Sequence, residues 1–332
     1  MVRIVVDALG GDHAPKEIVK GAVLATQTDG VEVILTGPEQ LINKELSLYK
    51  SVKNISVVNA VDVIQMSESP VQAMKRKKNS SIHVGLNLVS EGKADAFVSA
   101  GNTGAVMAVA LMNLGRIEGI ERPAIIATFP TVTGVSTIID VGANVDCRPK
   151  HLIQFAQMGS IFTEHILHIK NPRVSLLNIG EEPEKGNELA VETYRLLGQT
   201  NLNFIGNIEG QDILLGKTDV IVCDGFLGNM ILKSSEGFVI AIFNFIKTAV
   251  KGSLISMLGA VLMKPALKKL KKKIEYDEYG AAPLLGVNGV CMIAHGSAEA
   301  KAIKNAIFEA KITVLNGMVE KIKNIAKQGI IG

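Results

Sequence analysis

Short apolar runs, each ending in small or polar residues, recur along the whole chain. Nine of them are predicted to be buried strands followed by loops: RIVVDALGG, VEVILTGPE, NISVVNA, DAFVSAGNTG, AIIATFPT, STIIDVGAN, VSLLNIGEE, NFIGNIEG and DVIVCDGFLGN. Segments with helical periodicity separate most of these runs, among them KEIVKGAVLATQ and HLIQFAQMGSIFTEHILH. This alternation of strand and helix is typical of an α/β fold with a doubly wound, mostly parallel sheet in an α/β/α sandwich.

The alternation continues without an internal repeat or a Ser/Pro-rich linker. We therefore predict a single α/β/α domain over residues 1–332, with a cleft, rather than two independent domains. Residues 238–280 are the exception, because their pattern is helical, apolar at first and strongly basic afterwards. This segment is predicted to be a helical protrusion from the sheet.

Composition narrows the class of protein. Hydrophobic residues make up 47% of the 332 residues, but aromatic residues only 4%, which suits parallel strands covered by helices. The net charge of +3 and the lack of a basic strip with aromatic residues argue against a nucleic-acid partner. Cys147, Cys223 and Cys291 are far apart and near apolar runs, so we expect reduced, buried thiols of a cytosolic protein. No signal peptide and no membrane-spanning segment are predicted.

Polar and glycine-rich residues stand at the ends of predicted strands, where open α/β sheets bind ligands. The candidate residues are Ser99, Gly101, Asn102, Thr103 and Gly104 in SAGNTGA, Asn144 and Asp146 in DVGANVD, Lys185 in GEEPEKGNE, Asp224, Gly228 and Asn229 in CDGFLGNM, and Gly286, Asn288 and His295 in APLLGVNGVCMIAHGS. The small residues and hydroxyl groups of SAGNTGA favour binding of a phosphate. A tight turn with helix-capping residues would have the same composition. GEEPEKGNE is equally explained as a solvated charged loop. Together the five stretches predict a shared polar cleft.

Several common chemistries have no support in the sequence. No GxGxxG follows a strand, and neither a GxxxxGK[ST] loop nor a GxSxG elbow occurs. His165 and His168 are interpreted as ordinary helix residues, because no pair of carboxylates accompanies them. No Ser or Cys stands beside an evident base. The sequence therefore predicts no metal, no cofactor and no covalent enzyme intermediate.

Longer blocks carry a resemblance to a known family. In chain order they are VDALGGDHAP, SAGNTGA, DVGAN, GEEPEKGNE, CDGFLGNMILKSSEG, YGAAPLLGVNGVCMIAHGS and the following KAI. They resemble the signature blocks of the bacterial phosphate acyltransferases of phospholipid synthesis, the PlsX family, and they run from residue 5 to about residue 304. Two departures are Leu9 in place of Met and Ala281 in place of Gly. Ala281 is expected to restrict the backbone near the cleft slightly.

The resemblance implies a fold similar to the isocitrate and isopropylmalate dehydrogenases and the phosphotransacetylases, without a nicotinamide cofactor. It implies transfer of a fatty acyl group from acyl carrier protein (ACP) to inorganic phosphate. A membrane-bound glycerol-3-phosphate acyltransferase would then use the acyl phosphate. By the same resemblance, the protein is a cytoplasmic homodimer that associates peripherally with the inner face of the membrane.

By resemblance, Lys185 and Asn229 are the expected catalytic residues. Lys185 would neutralise phosphate or oxyanion charge, and Asn229 would orient the thioester carbonyl. SAGNTGA would cradle the phosphate, with His13 and His295 as weaker candidates. The chemistry agrees, because phosphate is already a nucleophile at neutral pH and needs positioning and charge stabilisation rather than an activated Ser or Cys.

Three other readings of the function remain. The chain could be a phosphotransacetylase-like enzyme acting on a short acyl-CoA, a dehydrogenase of the same fold, or a non-catalytic scaffold that binds ACP or membrane. The apolar and basic protrusion argues against the first, because soluble acyl-CoA needs no membrane contact. The lack of a metal–carboxylate cluster argues against the second.

Two surfaces are candidates for partners. The basic cluster MKRKK, residues 74–78, is either a docking site for acidic ACP or a solvated helix end. In the protrusion, Leu254, Leu258, Val261 and Leu262 share a helical face, Pro265 breaks or bends the helix, and six lysines lie within residues 264–273. This pattern favours contact with an anionic membrane, a dimer interface, or both.

Overall fold

The structure is a computed structural model that describes residues 1–28, 30–274 and 280–327, without the side chains of Leu254 and residues 271–274. The described strands are β1 (Val2–Asp7), β2 (Val31–Gly37), β3 (Ile55–Asn59), β4 (Ala96–Ser99), β5 (Ala124–Pro130), β6 (Val135–Ile139), β7 (Val174–Leu177), β8 (Phe204–Ile208), β9 (Val220–Val222), β10 (Ala281–Leu285) and β11 (Val290–Ala294). They form one sheet in the order β3-β2-β1-β4-β11-β10-β5-β6-β9-β7-β8. All nine predicted strands are present.

Helices cover both faces of the sheet. They are α1 (Lys16–Thr26), α2 (Glu39–Leu46), α3 (Pro70–Arg76), α4 (Ser81–Ser90), α5 (Thr103–Asn113), α6 (Pro149–Ile166), α7 (Glu188–Leu197), α8 (Gly225–Val250), α9 (Leu254–Ile274), α10 (Ala300–Leu315) and α11 (Met318–Lys327). One face packs against α3, α4, α5 and the start of α8. The other packs against α1, α2 and α10 over one half and against α6, α7 and α11 over the other. This arrangement confirms the predicted α/β/α sandwich.

The sheet consists of two parallel blocks that run in opposite directions. β3, β2, β1, β4 and β11 are parallel to one another, and so are β6, β9, β7 and β8. Three antiparallel pairings through β10 and β5 join the blocks, and an odd number of reversals inverts the second block. The carboxyl ends of β1, β4 and β11 define the first edge of the sheet. Those of β6, β7, β9 and β10 define the opposite, second edge.

The polar stretches predicted to share one cleft are divided between the two edges. SAGNTGA and His295 lie at the first edge, whereas DVGANVD, GEEPEKGNE, CDGFLGNM and the Gly286–Asn288 turn lie at the second. The five stretches therefore do not all lie at one end of the sheet, and the shared polar cleft stays a prediction. The physical reason is that carboxyl ends share an edge only within a parallel block.

The β10–β11 hairpin was not predicted, because its two strands read as one apolar run. Ala281, which departs from the family pattern, is the first residue of β10 and pairs with Ala294 in the antiparallel ladder. The positive φ of +67° belongs to the preceding Gly280. Alanine therefore fits this strand position without the backbone restriction expected from the sequence.

Residues 238–274, here termed the arm, are the described part of the predicted protrusion apart from Gly280. The buried residues of α8 are Gly225, Gly228 and Leu232, all within its first turns. Beyond them, large apolar side chains are exposed, including Phe238, Ile240, Phe245, Ile255, Leu258, Val261 and Leu262. Helix α9 continues through Pro265, so the helix does not break there, and a bend at that residue stays a prediction.

Helix α8 has enough length and hydropathy to cross a membrane when judged by those two properties alone, and no other helix in the described ranges does. Only 11% of its apolar window is buried within the protein. Its first turns, however, pack on the sheet through Gly225, Gly228 and Leu232. The sequence expectation that no segment spans a membrane stays a prediction.

Candidate active site

At the first edge, the SAGNTGA turn is held by a buried carboxylate. The Ser99 hydroxyl donates to Oδ2 of Asp7 at 2.7 Å and accepts from the Gly101 N–H at 3.0 Å. Burial raises the pKa of Asp7, although hydrogen bonds from Ser81 and Ser99 oppose that rise. Ser99 is itself buried. These polar groups therefore satisfy one another within the protein.

The rest of the same turn supports neighbouring segments. Oδ1 of Asn102 accepts from the Ala105 N–H at 3.0 Å and so caps α5. Its amide donates to the carbonyl oxygens of Met66 and Glu68, each at 3.0 Å. A Cβ on Gly104 would lie 2.6 Å from the Pro70 ring, so the small residue permits close packing. Thr103, which is exposed, is the side chain left for the predicted phosphate.

His295, at the same edge, contacts two residues of α8. Nε2 of His295 lies 2.9 Å from the Lys233 ammonium, which also pairs with Glu236 at 2.9 Å. Nδ1 of His295 lies 2.8 Å from the Ser297 hydroxyl. Oε1 of Glu236 is buried and has no hydrogen-bond partner among the described residues. Lys233 and Glu236 were not predicted as site residues, although they follow Asn229 by four and seven residues and so lie on the same flank of α8.

At the second edge, the DVGAN turn forms around Asp140, which is fully buried. Its Oδ1 accepts from the N–H groups of Ile125, Gly142 and Ala143 at 3.0–3.2 Å. Its Oδ2 accepts from the backbone and side-chain amides of Asn144 at 2.7 and 2.9 Å. Burial raises the pKa of Asp140 more than these bonds lower it. Asn144 donates again to the Pro123 carbonyl at 2.8 Å, so it organises the turn.

Helix α8 begins directly against this turn. The Asp224 side chain caps the helix by accepting from the Leu227 N–H at 2.8 Å. A Cβ on Gly228 would overlap the carbonyl oxygen of Asp140, so only glycine allows this approach. Asn229 is exposed, and its Cβ would lie 3.6 Å from a Cβ added to Gly142. The predicted Asn229 therefore stands beside the DVGAN turn.

Lys185 lies on the loop between β7 and α7, which shares a cavity with the start of α8. It is exposed, and its carbonyl accepts from the Asn178 amide at 2.8 Å. The residues that follow it, Gly186 and Asn187, line a cavity of about 460 Å³ whose other wall includes Leu227 and Asp224. Because two residues turn an α-helix by about 200°, Asn229 faces away from Leu227.

A larger cavity, of about 690 Å³, opens between α5 and the DVGAN turn. Its lining includes Met107, Leu111, Arg116, Glu121, Arg122, Pro123, Ala143, Asn144, Asp146, Cys147, Arg148 and His151. Of the predicted site residues, Asn144 and Asp146 are on this wall. None of the three arginines was among the predicted site residues. Two of them, Arg116 and Arg122, lie in the stretch RIEGIER just before β5. The lining of this larger cavity therefore carries three arginines against two carboxylates, Glu121 and Asp146.

Gly286 and Asn288 do not line the larger cavity but contact residues that do. Gly286 has φ +92° at the β10–β11 turn, and a Cβ there would approach Pro123 to 3.1 Å. The Asn288 amide donates to the Arg116 carbonyl at 2.8 Å. These residues position the segment that carries Arg116 and Arg122, rather than lining the cavity.

The three cysteines are free, as predicted. Cys223 and Cys291 are buried, whereas Cys147 is half-buried on the wall of the larger cavity. Burial, together with Asp140 and Asp224, raises the pKa of Cys147 to about 12. Burial alone raises the pKa of Cys291 to about 12. These thiols are therefore protonated and weakly nucleophilic at neutral pH.

The basic cluster at residues 74–78 is not uniform. The Lys77 ammonium bonds both carboxylate oxygens of Glu68, at 2.7 and 2.8 Å, and the Val63 carbonyl at 2.6 Å. It therefore fixes the segment that covers the SAGNTGA turn. Lys75, Arg76 and Lys78 are exposed. Only these three cations remain available for an acidic partner.

Comparison with known proteins places this chain. Residues 2–321 match the family model described as "Fatty acid synthesis protein". The chain is 52% identical over 323 residues to the phosphate acyltransferase of Desulforamulus reducens, covering 97% of each chain, and 52% identical over 324 residues to that of Desulfitobacterium hafniense, again covering 97% of each. A phosphotransacetylase from Streptococcus pyogenes has a similar fold, with a TM-score of 0.62, 16% identity and 94% of each chain covered. These matches confirm the resemblance seen in the sequence: the chain belongs to the phosphate acyltransferase family.

Proposed function

We propose that this phosphate acyltransferase takes a fatty acyl group from acyl-ACP and passes it to inorganic phosphate, giving acyl phosphate for phospholipid synthesis in the cytoplasm. The observation that carries the proposal is the larger cavity beside the DVGAN turn. Its wall bears three guanidinium groups and a single thiol, that of Cys147. Because the pKa of Cys147 is about 12, an acyl-cysteine intermediate is disfavoured and phosphate attacks the thioester directly.

In this reaction a phosphate oxygen bonds to the thioester carbonyl carbon, and the carbon–sulfur bond then breaks. The electron pair leaves with the sulfur of the carrier, which takes a proton from solvent. Lys185 neutralises charge on the phosphate or the oxyanion, and the Asn229 amide donates to the carbonyl oxygen. Both side chains are exposed, and the residues after Lys185 share a cavity with Asp224 and Leu227 at the start of α8.

The SAGNTGA turn is retained as the phosphate site through Thr103 and the first N–H groups of α5. Thr103 precedes Met107 by four residues, so it lies about 6 Å along the helix from the wall of the larger cavity. Lys233 is likewise one turn from Asn229 on α8. The two edges are thus connected along α5 and α8, on the same face of the sheet.

Hydroxylamine trapping tests the reaction, because acyl phosphate yields a hydroxamate. Long-chain acyl-ACP and a short acyl-CoA are compared as donors, with and without phosphate and with a chelator present. We expect phosphate-dependent hydroxamate from acyl-ACP, undiminished by the chelator. Preference for the short acyl-CoA would favour the phosphotransacetylase-like reading, and activity restored only by a divalent ion would contradict the proposed mechanism.

We also propose that the arm holds the enzyme on the anionic inner face of the membrane, where a membrane-bound glycerol-3-phosphate acyltransferase receives the product. Leu258, Val261 and Leu262 are 68, 68 and 84% exposed, and lysines follow them on α9. An apolar face beside basic residues suits an interfacial helix. The side chain of Leu254, the fourth predicted contact, lies outside the described residues. In the homodimer, the tips of two arms would form one shared patch.

Liposome sedimentation tests this role of the arm. The double change Leu258→Glu with Val261→Glu is expected to release the protein from anionic vesicles while leaving acyl transfer in solution unchanged. Leu48→Glu with Leu315→Glu is the matched control, because those side chains are 71 and 67% exposed outside the arm. A variant that still sediments refutes the anchor. If the double variant becomes monomeric but still binds vesicles, the arm forms a dimer contact instead of a membrane anchor.

A further inference from the structure

We infer that the larger cavity binds the phosphate group of the donor's pantetheine arm. The inference rests on the proposed function, since it names the part of the acyl donor that the cavity takes. Carrier proteins hold the acyl group as a thioester at the end of a phosphopantetheine arm, whose phosphodiester is an anion. Arg116, Arg122 and Arg148 line the cavity, and of these the Arg116 guanidinium donates to the Glu121 carbonyl.

The charge on this wall is positive because its acidic groups are few and partly paired. Glu121 lies 2.7 Å from the Lys150 ammonium, which holds the pKa of that carboxyl below its ordinary value. Burial lowers the pKa of His151, so this ring adds no charge at neutral pH. Asp146 is the one carboxylate that remains against three guanidinium groups.

Two of the guanidinium groups are available to a ligand. The side chains of Arg122 and Arg148 are exposed and have no hydrogen bond or ion pair to other residues in the described ranges. Arg148 also stands at the N-terminal end of α6, an 18-residue helix whose dipole favours an anion at that end. Planar guanidinium groups bind phosphate oxygens in pairs, which makes this wall a phosphate site rather than a general basic patch.

The size and the apolar part of the wall argue for more than an inorganic ion. The volume of about 690 Å³ is typical of sites for small organic ligands and far exceeds one phosphate. Met107, Leu111 and Pro123 give the cavity an apolar side that suits the methyl and methylene groups of pantetheine. The ligand that fits has a phosphate at one end and a partly apolar chain attached to it.

The position of the cavity also matches the reaction. Ala143 is on its wall and adjoins Gly142, which faces Asn229. A pantetheine arm whose phosphate rests on the arginines can therefore direct its thioester toward Asn229. The arginines would then act in binding the donor, while Lys185 and Asn229 act on the reacting atoms.

The first test measures binding without turnover. Isothermal titration calorimetry with phosphopantetheine compares the full-length wild type, Arg122→Gln, Arg148→Gln and the control Arg195→Gln, whose side chain is exposed on α7 and paired with Glu192. We expect each cavity variant to bind roughly tenfold more weakly or worse, and the control to bind normally. A wild type that does not bind the probe, or cavity variants that bind it normally, would overturn the inference.

The second test uses turnover with two donors. For acyl-ACP, KM should rise roughly tenfold in both cavity variants, whereas KM for inorganic phosphate stays unchanged. For S-acyl pantetheine, which lacks the phosphate, kcat/KM should be the same in the variants and the wild type. A rise in KM for inorganic phosphate, or an equal loss with S-acyl pantetheine, would refute the assignment. If phosphopantetheine binds but no acyl phosphate forms, the proposed function fails and the cavity assignment stands.

Discussion

Asp7 and Asp140 occupy comparable places in the two blocks of the sheet. Each lies at the carboxyl end of a central strand, each is buried, and burial raises the pKa of each. Each also holds a glycine-rich turn through hydrogen bonds. At the first edge, however, the Asn102 amide binds the segment that covers its turn, whereas the DVGAN turn at the second edge adjoins the larger cavity.

The difference teaches how a glycine-rich turn after a strand should be interpreted. Small residues permit close approach, but the approaching group can be the protein's own backbone, as Gly104 and Gly228 show. A turn becomes a binding site only where charged or polar groups remain unpaired. At the second edge those groups come from Arg122 and Arg148, which lie outside the glycine-rich stretches.

The largest expected effect is a difference in stability loss when Asp7 and Asp140 are each replaced. Asp140 accepts five hydrogen bonds within 3.2 Å, whereas Asp7 accepts two within that distance, from Ser99 and the Leu9 N–H, with weaker contributions from Ser81 and the Gly10 N–H. Asp140→Ala should lower the free energy of unfolding by about 4 kcal/mol and Asp7→Ala by about 2 kcal/mol, because buried donors lose their acceptor. Urea denaturation of both variants measures the two values. Equal costs would show that the two turns are held in the same way.

The next largest effect concerns catalysis at the second edge. Lys185→Ala and Asn229→Ala should each lower kcat about a hundredfold, since one transition-state donor is worth about 3 kcal/mol. Their thermal stability should be unchanged, because both side chains are exposed. Lys170→Ala, an exposed lysine far along the chain from either turn, is the control. Turnover near that of the wild type in Lys185→Ala would show that the charge stabiliser is elsewhere.

A change at the first edge sharpens the same comparison. If the start of α5 holds inorganic phosphate, Thr103→Val should raise KM for phosphate about tenfold, through the loss of one hydrogen bond to a charged ligand. KM for acyl-ACP should not change, because the proposed donor site is at the second edge. The conservative variant Thr103→Ser should restore phosphate binding. An unchanged KM in Thr103→Val would assign the turn to structure alone.

The dependence of stability on pH follows from the raised pKa values. A carboxyl whose pKa is higher in the folded than in the unfolded protein binds protons more tightly when folded. The stability that this carboxyl adds to the free energy of unfolding is therefore fully present below the ordinary pKa of 3.8. It is lost as the pH rises through the pKa of the folded protein. In Asp7→Asn and in Asp140→Asn, the free energy of unfolding should decrease less steeply with rising pH than in the wild type. Unfolding free energies measured from pH 4 to 8 check the sign, and a fall as steep as that of the wild type would contradict it.

A smaller effect is expected in the basic cluster. Lys77→Ala should lower the free energy of unfolding by about 1 kcal/mol, because its ion pair with Glu68 is only partly buried. Lys75→Glu with Lys78→Glu should leave stability unchanged but raise KM for ACP and weaken its salt dependence. Steady-state kinetics at several ionic strengths measure this change. An unchanged KM would show that these two lysines are solvated surface residues that do not bind ACP.

The smallest effect is expected at Cys147. With a pKa of about 12, its thiol should resist iodoacetamide at pH 8 in the native protein and react after denaturation. Mass spectrometry of the alkylated protein measures this difference. Cys147→Ser should keep kcat within about twofold, because no thiolate takes part in the proposed mechanism. A large loss of kcat, with donor binding intact, would point to covalent catalysis.

The sequence by itself determined the local features of this protein. Nine strands and the helices between them follow from apolar runs and helical periodicity, which depend on neighbouring residues. The helix starts at Asn102 and Asp224 are likewise local, since each side chain caps a residue three positions further on. The family, too, was evident from contiguous blocks of sequence.

Only the tertiary structure decided which groups meet. The opposite direction of the two blocks depends on antiparallel pairings through β5 and β10, and β10 lies far from β5 in the chain. Ser99 meets Asp7 across 92 residues, and Lys233 meets His295 across 62. Arg148 shares a wall with Arg116 and Arg122 because α6 and the start of β5 come together there. Periodicity and caps are encoded by near neighbours, whereas such pairings exist only once the chain has closed.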